Sequence, residues 1–170
     1  MKLLEEMCSI HSPSGEEEAM SKFLLNYIKK NKKSWKNKPK IYSGELFQDN
    51  IILVFGKPTT AIFAHMDSIG YTVRYNNEIV KIGGAASKDG IKLVGEDSQG
   101  KIEGKIINKK NKLFIKYKRN IETGTTLTYK SNFRKSKDFV QCCYLDNRLG
   151  VWNALEVAKT LNNGIIVFSS

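Results

Sequence analysis

Histidine is nearly absent from this chain, with two in 170 residues, so any imidazole chemistry rests on His65 or His11. Cysteine is sparse as well. Cys8, Cys142 and Cys143 form neither a C-x-x-C pair nor a disulfide framework, which fits a reducing cytoplasm. No apolar run approaches the ~20 residues of a membrane span. The opening MKLLEEMCSIHSPSG is interrupted by Glu5 and Glu6 before any secretory apolar region develops. A membrane partner is therefore not expected, and the cytoplasm is the expected location. Acid is scarce relative to base, 17 residues against 28, which leaves a formal charge of +11. A basic face neutralises phosphates and releases counterions. Here the lysines are scattered apart from KKNKKSWKNKPK, between Lys29 and Lys40. Trp35 in that stretch offers a ring on which a base can stack, but Lys29 and Lys30 suit the carboxyl end of a helix macrodipole. The stretch reads as a solvated helix end and linker, and no nucleic-acid partner is expected.

What is present is concentrated in AIFAHMDSIG, Ala61 to Gly70. A short apolar β run, Thr60 to Ala64, delivers His65 and Asp67 at its carboxyl end, where ligands of open α/β sheets collect. Neutral imidazole is a common zinc ligand, and a carboxylate usually holds its other ring N–H. His65 is thus the candidate ligand and Asp67 its orienting partner, although a lone histidine beside a strand is more often structural. A second segment, YLDNRLG from Tyr144 to Gly150, places Asp146 between an apolar stretch and a helix-patterned run. Asp146 has two readings, a helix N-cap or a metal-binding carboxylate.

Around these segments the chain is patterned as α/β. A helix is expected near Lys2 to Cys8, then the turn His11 to Gly15, where Ser14 and Glu17 make a capping-box pattern. Met20, Phe23, Leu24, Tyr27 and Ile28 recur at helical spacing over residues Glu16 to Lys30. Glu16, Glu17 and Glu18 complement the positive end of that helix. Three β runs follow, Lys40 to Glu45, Asn50 to Phe55 and Thr60 to Ala64. Near the other end, Leu149, Trp152, Leu155, Ala158 and Leu161 mark a helix from about Arg148 to Leu161. Gly164 then opens an apolar strand, Ile165 to Phe168, as part of a parallel crossover unit. Trp152 reads as core. This last strand is expected to lack neighbours and covering helices, which exposes an edge. Between Tyr71 and Cys142 the texture changes to short β runs broken by Asn76-Asn77, Gly83-Gly84, Asp89-Gly90, Gly100, Asn111 and Gly124, the pattern of a small barrel or sandwich.

With LLEEMCSIHSPSGEEEAMSKFLLNYI, DNIILVFG, AHMDSIGYTV, LDNRLGVWNALEVAK and GIIVFSS in this order, the chain resembles the N-terminal part of the co-catalytic metallo-aminopeptidases that assemble as tetrahedral particles. This is the glutamyl and leucyl aminopeptidase group, also labelled endoglucanase or cellulase. The resemblance implies that His65 ligates one metal, that Asp67 orients His65, and that Asp146 bridges two divalent ions, zinc first, with cobalt or manganese able to share the ligands. It implies hydrolysis of N-terminal residues from peptide substrates. It also implies that the catalytic glutamate, a glutamate ligand, a further carboxylate and a second histidine lie beyond Ser170. A β-barrel between the His-x-Asp strand and the bridging aspartate, as here, is the group's arrangement and serves homo-oligomer association.

The expectation is an α/β chain: a partial zinc-peptidase-like catalytic domain, residues 1–70 and 142–170, interrupted by an all-β barrel-like insert, residues 71–141. Its site is His65 and Asp146 as metal ligands with Asp67 beside them. As given it is a catalytically incomplete fragment of a cytoplasmic metalloprotease. The alternative is a non-catalytic interaction protein derived from a split or decayed peptidase.

Overall fold

The computed structural model describes residues 1–170. Helices α1 (Lys2–Cys8) and α2 (Glu18–Asn31) come first, then strands β1 (Lys40–Tyr42), β2 (Ile51–Phe55) and β3 (Ala61–His65). The barrel strands follow: β4 (Gly70–Val73), β5 (Glu78–Ile82), β6 (Lys92–Asp97), β7 (Gly100–Lys109), β8 (Lys112–Lys116) and β9 (Thr126–Tyr129). A two-stranded ribbon of β10 (Arg134–Lys135) and β11 (Val140–Gln141) leads to α3 (Leu145–Ala158) and β12 (Gly164–Ser169). No helix is long and apolar enough to cross a membrane.

The first sheet has the order β1-β2-β12-β3. Strand β12 lies between β2, to which it is antiparallel, and β3, to which it is parallel. This corrects the expectation that the last strand is the exposed one. It is central, and β1 and β3 are the edges. One face of the sheet buries Ile51, Leu53, Phe55, Ile166, Phe168 and Ala64 in a core shared with Leu4, Met7, Leu24, Ile28, Val151 and Leu155 of the helices. On the other face the register aligns Tyr42, Ile52, Val167 and Phe63 across all four strands, and Phe63 is 68% exposed.

Trp35 corrects the solvated reading of the basic linker. It is 6% exposed and stacks on Phe55 with ring centroids 6.4 Å apart. Lys36 N–H donates to the Lys159 carbonyl (2.9 Å) and Asn37 to that of Leu161 (3.1 Å), so the segment is laid against the end of α3 while its lysines face water. Trp152, half-buried, packs on the same core as expected.

Residues β4 to β9 form a closed six-stranded barrel in the order β4-β5-β8-β7-β6-β9. Alternation explains it. In β7, Ile102, Gly104 and Ile106 point inward while Lys101, Glu103 and Lys105 point out. Ile102 and Ile106 join Tyr71, Val73, Ile79, Leu93, Ile115 and Leu127 in a second core. Gly104 is needed by packing, since an added Cβ would run into the Ile115 side chain and the Lys116 carbonyl. The hairpin turns at Asn76-Asn77 and Lys110-Asn111 hold positive φ, the backbone that suits two-residue hairpin connections. Tyr129 joins the two cores, edge-on to Tyr71 at 6.0 Å and stacked on Tyr144 at 6.1 Å.

Candidate functional site

The carboxyl end of β3 stops at His65, and the chain leaves the sheet through Met66 to Ser68. Met66 N–H still donates to the Ser169 carbonyl (2.6 Å), so the departure point is tied to β12. Asp67 lies two residues on and accepts from His65: Nδ1 is 2.8 Å from Asp67 Oδ1. A carboxylate oxygen only accepts, and Nδ1 makes the shorter of the ring's two carboxylate contacts; in the Nδ1–H tautomer the Nε2 lone pair is free. That Nε2 faces Asp146 Oδ1 at 3.2 Å.

The three residues singled out in the sequence are therefore brought together, although 81 positions separate His65 from Asp146. An imidazole lone pair aimed at a carboxylate is electrostatically complete only with positive charge between them, supplied by a second ring proton or by a bound cation. The spacing suits a cation. Two donors about 2.0–2.1 Å from a tetrahedral zinc ion lie ~3.3 Å apart. The residues present thus fit one metal ion as far as they go. No group of three or more His, Cys, Asp or Glu is arranged to hold a metal.

Asp146 is not a helix cap. Its φ/ψ of −86°/109° is non-helical, as is that of Asn147, and the regular part of α3 starts at Arg148. The helix makes no side-chain cap bond, and the Asp146 side chain is 95% exposed, directed to His65. The peptide bond between Asp146 and Asn147 is cis. Gly150 permits this corner, because a Cβ there would collide with the Asn147 carboxamide.

Sequence reasoning missed the residues beneath the site. Ser14, read as half of a capping box, instead donates its hydroxyl to Asp67 Oδ2 (2.5 Å). Helix α2 begins at Glu18 without a side-chain cap, and Glu17 accepts from the Gly15 N–H (2.8 Å). The Ser12–Ser14 loop lies along Met66–Ser68, with a parallel bridge between Pro13 and Ser68. Ser68 N–H donates to the Ser12 carbonyl (2.9 Å) and Ser14 N–H to that of Ser68 (3.2 Å). Arg148, 1% exposed, donates to the Met66 carbonyl and to Ser12 Oγ. The cue in the sequence was the S-P-S spacing opposite H-M-D-S, which no local rule pairs.

Electrostatics at Asp67 reflect these partners. Burial alone raises its pKa, but the Ser14 hydroxyl and the His65 ring outweigh it and hold the carboxyl below the ordinary aspartate value. His11 is pushed down, chiefly by burial. Its ring meets Thr128 (3.0 Å) and Thr126 (2.8 Å) and so ties the same loop to the barrel. Cys8 and Cys143 offer no nucleophile. Burial, with neighbouring thiols, pushes Cys8 up to about 12 and Cys143 up to about 11, so both stay protonated and inert.

No protein-family model matches this sequence, and no curated protein does. Solved structures do, and their fold is the one expected. An aminopeptidase from the archaeon Desulfurococcus kamchatkensis matches with a TM-score of 0.76 at 18% identity over 98% of this chain and 54% of its own. The Pyrococcus horikoshii TET1 peptidase, described as assembling into a tetrahedron or a large octahedral shell, matches with 0.76 at 18% identity over 98% of this chain and 59% of its own. A Thermotoga maritima protein described as an endoglucanase matches with 0.74 at 17% identity over 98% of this chain and 58% of its own. The chain thus spans 54–59% of the length of these structures.

Proposed function

We propose that these residues are the first part of a metal-dependent aminopeptidase that removes N-terminal residues from peptides. The observation that carries the proposal is the convergence of His65 Nε2 and Asp146 Oδ1 at 3.2 Å, with Nδ1 held by Asp67, on a peptidase-type fold. His65 and Asp146 would hold the first ion, zinc by donor chemistry with cobalt or manganese as substitutes. A bound metal pair supplies water activation and carbonyl polarisation. Asp67 keeps the proton on Nδ1 and the ring in plane, and the open approach beside exposed Asp146 admits a substrate.

Two ligands do not hold a co-catalytic pair, and no general base lies within reach of them. Turnover therefore requires the further carboxylates and histidine that the family resemblance places beyond Ser170. The proposed organisation is a catalytic part, residues 1–70 and 142–170, around a barrel, residues 71–141. The barrel is the proposed surface for association with sibling subunits in the cytoplasm.

The test uses both lengths of the protein. The 170-residue chain should take up one zinc ion weakly, lose it in His65→Ala, and show no turnover of amino-acid arylamides. Extended by its natural downstream sequence, it should gain an acidic pair within a few residues and metal-dependent aminopeptidase activity that His65→Ala or Asp146→Ala abolishes. Turnover by the 170 residues alone, lost in Asp146→Ala, would overturn the incompleteness. Absence of both His65-dependent zinc uptake and a downstream acidic pair would put a non-catalytic assembly protein first.

A further inference from the structure

The buried guanidinium of Arg148 is out of keeping with a purely structural role. A cation removed from water is costly unless a carboxylate pairs with it. Arg148 has instead two backbone carbonyls, Met66 and Asp67 (3.4 Å from the latter), and the Ser12 hydroxyl, while its Nε–H has no partner. An apolar side chain of similar volume would fill this space at lower cost. What the planar fork achieves is connection. Arg148 stands two residues after Asp146, and its donors grip the two carbonyls that follow His65. Ser12, whose hydroxyl also donates to the Met66 carbonyl (3.2 Å), completes the grip from the N-terminal loop. Three segments distant in sequence meet on one side chain, and two of them carry the proposed ligands.

We propose that Arg148 is a positioning residue: it locks the turn after His65 to the corner that carries Asp146, and so sets the orientation and tautomer of the His65 ring through Asp67. This rests on the metal-site reading above. Lysine, a point charge on a flexible stem, cannot reproduce a fork that bonds several acceptors at fixed angles. Residues that orient a metal-binding histidine from behind typically matter by ~10–100-fold in metal affinity.

The experiment compares Arg148→Met, Arg148→Lys and Ser12→Ala with Val151→Ala, a buried apolar change on the same helix whose side chain makes no hydrogen bond to either ligand segment. Two readouts are taken on the full chain: 15N shifts of the His65 ring, which report the nitrogen that carries the proton, and zinc affinity by competition with a chromophoric chelator. The intact protein should hold the Nδ1–H form. Arg148→Met should mix the tautomers and weaken zinc by ~10–100-fold, with Arg148→Lys between. Val151→Ala should lower thermal stability and leave both readouts unchanged. Should Arg148→Met fail to fold, Ser12→Ala and Arg148→Lys are still expected to shift the ring signals. Unchanged ring signals in every folded variant overturn the proposal. If the intact chain takes up no zinc through His65, the metal reading fails, and the ring signals alone still decide whether Arg148 positions His65.

Discussion

The barrel and the four-stranded sheet use the same raw material, short alternating strands, and finish in opposite conditions. In the barrel the last strand, β9, pairs with both β4 and β6, so each strand has two neighbours and the inward side chains enclose their own core. The sheet closes on nothing. Its edge strand β3 has one partner, helices cover one face only, and the aligned Tyr42, Ile52, Val167 and Phe63 stand on the other. Closure removes edges, whereas an open sheet relies on what covers it. The candidate site sits on the open half, at the end of the edge strand, where ligand-bearing segments have room to meet.

The largest expected effect separates the two regions by stability. Phe168→Ala empties a fully buried position of the sheet core and should cost about 3–5 kcal/mol, measured by denaturant unfolding. Hydrogen exchange should then show the sheet amides opening while β4 to β9 stay protected. Simultaneous loss of protection in both halves would show that the Tyr71, Tyr129 and Tyr144 stack makes them one cooperative unit. Tyr71→Phe tests that link from the barrel side. The Tyr71 hydroxyl donates to the Ala86 carbonyl and lies 3.5 Å from the Tyr129 hydroxyl. The Ala86 carbonyl keeps its bond from the Tyr129 hydroxyl (3.0 Å), so removing the Tyr71 hydroxyl should cost only about 0.5–1.5 kcal/mol, seen as a lower melting temperature without loss of the sheet.

Acid should act on the barrel through Asp97. The forked Arg119 contact, both oxygens at 2.6 Å, holds its carboxyl down to about 2 against an ordinary ~3.9. A depressed carboxylate stabilises above its unfolded pKa and loses that contribution as pH falls through the folded one. The barrel's melting temperature should thus decline between pH ~4 and about 2, and Asp97→Asn should flatten that decline. A decline of unchanged size in Asp97→Asn would assign it to other carboxylates. The smallest stability effect belongs to the uncovered face. Phe63→Ser should change unfolding free energy by less than ~0.5 kcal/mol yet reduce concentration-dependent light scattering of the 170-residue chain. Scattering that persists would mean that the edge of β3, not its apolar face, is the adhesive element.

How much of this was legible depended on range. The periodicity of Met20, Leu24 and Ile28 marks α2, and alternation with Asn-Asn and Asn111 turns marks the barrel strands, because those signals come from residues a few positions apart. The pairing of His65 with Asp67 was legible for the same reason. The position of β12 was not. A strand of four apolar residues fits an edge or a centre equally, and β2 and β3 on either side decide it. Trp35 was misread because its neighbours in sequence are lysines, whereas its neighbour in space is Phe55.

By itself the sequence determined the elements, the order of the two kinds of texture, and the residue types capable of binding a metal. Tertiary structure decided between barrel and sandwich for β4 to β9 and between facing His65 and capping the helix for Asp146, and it alone revealed that Ser14 and Arg148 support Asp67 and the turn it lies on. Each of those outcomes joins groups more than 50 positions apart, where no local pattern constrains the geometry and packing alone selects the partner.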